Sequence, residues 1–353
     1  METLLLRTSS ARLLGMCLLL LSMSTSDSWS QQVFSGDVSR QTPDVVAGNK
    51  ESVPETTKED LHLLSLAGSK LQASTALLGE KDSYPDFTRE LLQVQWRAGD
   101  PIDLYVILPK RVAHPAVILY LYSYPSDTGI FQDPDFCALI TKNGFAAVGF
   151  VSAMTGQRYH DRPMREWFIS ELQESLVSSV HDVQMILDYL AGRGDLDMNR
   201  VGMFGEGSGA TIAILAATVD PRLRVIDLLD PWGDWPEWLL KSTLIPNGER
   251  ATYLTPEFLK KLEPLDPAKR LPELRSQTVR LQDALYDKVT SISAKKSIEN
   301  ALPASGRIVR YKNSQALENA ASAGAFFDWL KEQVKLSTNN RLTGQSEIET
   351  KGR

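Results

Sequence analysis

Apolar residues along this chain fall into short runs separated by glycine, proline and charged turns. Ala116–Leu121, Ala146–Val151, Val201–Phe204 and Val225–Leu229 are almost wholly apolar. Such runs predict strands buried on both faces of a parallel sheet. Leu91–Trp96 and Ile102–Leu108 flank the turn Arg97–Pro101 and predict a hairpin. Thr278–Leu281 and Arg307–Tyr311 are weaker strand candidates. Met164–Ala191, Thr211–Thr218 and Ala316–Leu336 predict helices, the last offering Phe326, Phe327, Trp329 and Leu330 to a core. Leu61–Leu78 has helical spacing and predicts an amphipathic helix ahead of the sheet. A hairpin followed by alternating strands and helices gives an α/β architecture, with a mostly parallel sheet of about eight strands covered by helices.

The ends of the chain read differently. Arg7 and Arg12 precede the apolar run Leu13–Leu21, and Ser28-Trp29-Ser30 offers a small-x-small cleavage site before Gln31. That is a signal peptide over residues 1–30, since a membrane-spanning helix needs about 20 apolar residues. The expectation is an exported protein, periplasmic or secreted, without an integral membrane segment once the signal is removed. Residues 31–85 read as a flexible leader carrying the one helix, 86–336 as the folded domain and 337–353 as a polar tail. Within the domain, 231–276 carries Trp232, Trp235 and Trp238 and reads as a cap or lid, or as packing onto the sheet. The net charge of −6 excludes a typical nucleic-acid binder. Of the two cysteines, Cys17 lies in the signal, and Cys137 is left as a lone, buried helical residue. No disulfide or multi-cysteine metal site follows from one thiol, and no cofactor or metal is implied.

The chemistry concentrates in Val201-Gly202-Met203-Phe204-Gly205-Glu206-Gly207-Ser208-Gly209-Ala210. This strand–turn–helix resembles the nucleophile elbow of α/β-hydrolases, G-x-S-x-G, in the branch that looks like dienelactone hydrolases and prolyl-oligopeptidase-type domains. The resemblance covers about Leu91 to Val334 and implies the α/β-hydrolase fold. Gly205 and Gly209 fill the two small positions, but Gly207 stands in the nucleophile slot, and the hydroxyl of Ser208 is one residue late. Leu121-Tyr122-Ser123-Tyr124-Pro125 falls where the family has LHGxP, which implies oxyanion-hole donors at the N–H groups of Tyr124 and Ser208. The resemblance places the acid at Asp287, with Asp283 second, and the histidine at or near Gln315. Glutamine cannot serve as a general base, and no histidine follows His181.

A rebuilt site would need Ser208, His160 and a carboxylate. His62 reads as exposed, His114 as a loop residue before a strand, and His181 as structural. Glu206 is either a buried carboxylate with a raised pKa or a hydrogen-bonding support. Gly205, Gly207 and Ala210 also fit a relaxed dinucleotide fingerprint, with Asp227 or Asp230 following, although that motif usually opens its domain. Three functions compete. The first is a hydrolase-fold protein that has lost serine chemistry and binds a small molecule or partner, with Tyr124, Glu206, Gly207, Trp232 and Gln315 around the pocket. The second is an ester, lactone or peptide hydrolase acting through Ser208. The third is a structural envelope domain.

Overall fold

The computed structural model describes residues 59–336 apart from 73–74, 98–99, 125, 127, 155–167 and 323–325. The expected signal, most of the leader and the tail lie outside the described residues, as does His160. Nine strands form one sheet: β1 (Leu77–Ser83), β2 (Phe87–Val94), β3 (Ile102–Pro109), β4 (Ala116–Leu121), β5 (Phe145–Gly149), β6 (Asp197–Glu206), β7 (Val225–Leu229), β8 (Thr278–Ala284) and β9 (Arg307–Tyr311). Their spatial order is β1-β2-β3-β5-β4-β6-β7-β8-β9. The first three strands and the β3–β5 pair are antiparallel, and every later pair is parallel. The order reverses between β4 and β6, which makes their carboxyl ends the topological switch point, where open α/β sheets place their ligands.

Helices cover both faces. They are α1 (Pro134–Thr141), α2 (Leu172–Arg193), α3 (Ser208–Val219), α4 (Trp235–Lys241), α5 (Arg250–Tyr253), α6 (Pro256–Leu262), α7 (Pro267–Arg270), α8 (Ile292–Ala301), α9 (Ser314–Ser322) and α10 (326–336). One core, built around α2, α3 and the tryptophan segment, takes alternate residues such as Val117, Leu119 and Met203. The opposite core, with α1 and α10, takes Ile118, Tyr120 and Phe204. β4, β5 and β7 are buried along their whole length, as strands covered on both faces must be. Phe326, Phe327 and Leu330 of α10 are buried, and Trp329 is half-buried against the Arg280 guanidinium. Cys137 sits wholly buried in α1.

The helix expected over Leu61–Leu78 does not form. The segment runs as turns and extended chain into β1, and its backbone finds partners elsewhere. Leu63 O and Leu64 O accept from His181 Nε2 (2.7 Å) and Gln184 Nε2 (2.8 Å), and Leu66 N donates to Gln184 Oε1 (2.9 Å). External partners remove the incentive for an internal i→i−4 ladder. β1 was not expected because Leu77-Leu78-Gly79-Glu80-Lys81-Asp82-Ser83 has no apolar alternation. It is an exposed edge strand held by its register with β2.

Candidate functional site

β6 ends at Glu206 and the chain turns through Gly207 into α3. Gly207 has φ 52° and ψ −115°, a conformation that strains any residue with a side chain. Its N–H donates to Leu229 O (2.8 Å), and its carbonyl accepts from Trp232 N (3.4 Å) and Thr211 Oγ1 (3.3 Å). The glycines on either side are required by space. A Cβ on Gly205 would lie 2.5 Å from Gly209 O, and one on Gly209 would lie 2.1 Å from Leu121 O. Strand, turn and helix therefore have the geometry of a nucleophile elbow, and Gly207 occupies the nucleophile's place in it.

The space that a nucleophilic side chain would enter is filled. A Cβ on Gly207 would lie 2.2 Å from Ser123 Oγ, 2.8 Å from Ser123 Cβ and 3.1 Å from Trp232 Nε1. Trp232 is buried and stacks on Trp238 with ring centroids 4.8 Å apart, while Trp235 packs edge-on to Trp238. Trp235 and Trp238 thus pack the segment onto the sheet, and Trp232 alone borders the elbow.

Ser208 is wholly buried at the first turn of α3. Its Oγ accepts from Tyr124 N at 2.9 Å, and its own N–H points to Ser123 Oγ at 3.3 Å. These are the two backbone groups that would form an oxyanion hole, and each already meets a hydroxyl of this chain. Ser123, which sequence reasoning passed over, is therefore the residue that closes the site. Its only signal was its place within the Tyr122-Ser123-Tyr124 run.

The acid positions are also engaged. Asp287 accepts from Val289 N and Thr290 N, both at 3.1 Å, and lies 3.5 Å from Lys295 Nζ. Lys295, on α8, is 4% exposed and also pairs with Asp230 at the end of β7. Asp230 in turn accepts from Ala284 N (2.9 Å). Burial, together with Asp287, holds the Asp230 carboxyl above the usual carboxylate range against the pull of Lys295. Asp283 is buried, shares a hydrogen bond with Glu299, and has Oδ2 without a partner. Burial and Glu299 raise its pKa. Lys295 was legible only as a residue three before Ile298, on the inner face of α8.

Glu206 is 6% exposed. Burial, then the charges of Asp230 and Asp287, push its carboxyl up to about 8. Asn313 caps α9 directly after β9, so Gln315 falls on the exposed first turn and bonds Asn319 (3.0 Å). His181 is buried between Glu59 (2.5 Å) and Leu63 O and serves the structure.

No protein-family model and no curated protein matches the sequence. Solved structures do match. An acetyl xylan esterase from Paenibacillus sp. is similar at TM-score 0.57 and 17% identity, covering 74% of this chain and 90% of that one. The fold is the α/β-hydrolase fold. Acetyl xylan esterase 1 from Thermoanaerobacterium sp. is similar at TM-score 0.56 and 16% identity, over 70% of this chain and 83% of that one. An acylaminoacyl peptidase from Pyrococcus horikoshii is similar at TM-score 0.51 and 12% identity, over 72% of this chain and 50% of that one. Among the described residues of this α/β-hydrolase-fold chain, no helix is long and apolar enough to cross a membrane.

Proposed function

We propose that this is an exported α/β-hydrolase-fold protein that binds a small molecule in the residual crevice and does not perform serine hydrolysis. The observation that carries the reading is Gly207 in the nucleophile position, with Ser123 and Trp232 filling the space above it. A serine mechanism needs an attacking hydroxyl, a base to take its proton and free donors for the oxyanion. At the elbow the hydroxyl is missing and the donors are taken. The base is missing from the sequence after His181. Export rests on the charged, apolar and small-residue pattern of the first 30 residues.

The second reading is an active ester hydrolase. The N–H groups of Tyr124 and Ser208 still converge beside the elbow, and similar structures include acetyl xylan esterases. The mature chain should be treated with a fluorophosphonate serine probe and with a chromogenic acetate ester, beside Ser208→Ala. The expected result is neither labelling nor turnover. Labelling that disappears in Ser208→Ala would overturn the proposal in favour of the esterase.

A further inference from the structure

His181, on α2, has both ring nitrogens facing hydrogen-bond acceptors. Nδ1 lies 2.5 Å from Glu59 Oε1, and Nε2 lies 2.7 Å from Leu63 O. A backbone carbonyl only accepts, so Nε2 carries a proton. Glu59 also accepts from Arg97, with Nη2 on Oε1 at 2.6 Å and Nε on Oε2. Burial pushes the Glu59 carboxyl up, but the bonds and charges of Arg97 and His181 outweigh it and hold it down at about 2. Glu59 is therefore a carboxylate with no proton to give, and Nδ1 must carry one too. The ring is an imidazolium, 1% exposed.

The surroundings supply its counter-charge. Arg97, in the turn between β2 and β3, bonds Glu59, the wholly buried Asp182 (2.5 Å) and Asp100 (3.3 Å). One guanidinium against three carboxylates leaves negative charge that a second cation at His181 offsets. Trp96 Nε1 also donates to Asp182 Oδ1 (3.1 Å). Of the helices packed against α2, α3 carries no ionisable side chain, and α6 carries Glu257, Lys260 and Lys261, all exposed. Farther along α2, Arg222 pairs with Asp188 (2.6 Å) and Asp220 (2.5 Å).

The segment 59–66 is thus tied to α2 at two places. Gln184 holds Leu64 O and Leu66 N through a neutral amide, and Leu61 and Leu64 pack half-buried against the core. The His181 tie is different, because both of its bonds need the charged ring. When the ring loses a proton, one nitrogen becomes an acceptor facing an acceptor, and either Glu59 or Leu63 O loses its partner. A buried polar pair in that state is costly, so the segment lifts.

We infer that residues 59–66 form a pH-gated strap, docked on α2 while His181 carries both ring protons and released when it loses one. The hold is complete on the acid side and is lost as pH rises. The proton goes to solvent, and no covalent bond changes. Release uncovers Leu61, Leu64 and the face of α2 beneath them.

The test has two readouts on the mature chain between pH 5 and pH 10. Nitrogen-15 NMR of the imidazole rings should show both nitrogens of His181 protonated at pH 7 and one proton lost at higher pH. Cutting within residues 59–66 by a broad-specificity serine protease should be normalised at each pH to an unstructured peptide of the same sequence. It should speed up about tenfold or more in step with that loss, the worth of one charge-assisted bond. Cutting within β4 should not change, which separates strap release from global unfolding. His181→Gln keeps a donor but cannot titrate, and its normalised cutting rate should not vary with pH. A neutral ring at pH 7, a ring still charged at pH 10, or ring titration without faster cutting would each overturn the inference. So would a pH dependence that survives in His181→Gln. Should that variant fail to fold, the two readouts on the parent chain decide alone.

Discussion

At the scale of single residues, the elbow separates two properties that usually travel together. Gly205 and Gly209 are held by backbone contacts and could be read from sequence as the small positions of the motif. Gly207 could be read as a missing nucleophile. That the vacancy is filled could not, because Ser123 comes from a strand end 84 residues earlier and meets the elbow only through the sheet. Restoring the nucleophile by Gly207→Ser should therefore lower stability, by about 2 kcal/mol, through a positive φ and the clash with Ser123. Denaturant unfolding would measure the loss, and adding Ser123→Gly should recover much of it. The double variant should remain inert to fluorophosphonates, since no histidine follows His181.

Glu206 makes a second prediction at this scale, and its sign follows from its raised pKa. Below about pH 4.5 both the folded and unfolded chains hold the proton, and the residue costs no charge burial. Between about 4.5 and 8 the unfolded chain ionises while the folded chain keeps its proton, so stability falls as pH rises. Glu206→Gln should be close to neutral at the acid end and stabilising, by about 2 kcal/mol, as pH nears 8. Urea unfolding across that window would read the crossover, and a flat difference would contradict the assignment.

At the scale of elements, the buried parallel strands were legible because their runs are apolar throughout, and β4 and β7 begin and end where those runs do. β1 and the stretch before it were not. Their conformation is set by what they dock on, and that information lies in β2 and α2. Arg97 shows how the stretch is held. It bonds Glu59, Asp182 Oδ1 (2.5 Å) and Ser178 O (2.9 Å), while His181 also holds Glu59. Asp182 is wholly buried. Arg97→Ala should cost about 3 kcal/mol by leaving that carboxylate without its cation. It should also free residues 59–66 for proteolysis, whereas a cut rate equal to that of the parent protein would count against the strap.

At the scale of the whole molecule, the fold matches structures that share only 12–17% of its residues in the comparisons above. A fold recognised at that distance leaves the chemistry open. The same limit leaves Asp287 and Gln315 placed by position alone, the first accepting from the loop after β8 and the second exposed on α9. The export reading makes its own prediction. Secreted product should begin at Gln31 by N-terminal sequencing, and product beginning at Met1 would refute signal cleavage. With Cys137 as the only thiol of that mature chain, reducing agents should leave its melting temperature unchanged.

The pairing of Ser123 and Ser208 with the backbone donors also bears on reversibility. In an enzyme those N–H groups wait for a charge that exists only during reaction. Here they are saturated in the resting protein, so the site has become part of its internal bonding. If serine chemistry has been lost as proposed, a lineage regaining it would have to empty Ser123 from the slot, place a serine there and supply a base. The middle step is penalised when it comes first, and each alone gives no activity to select. On the proposed reading the change would be a ratchet, easy to pass in one direction and closed in the other.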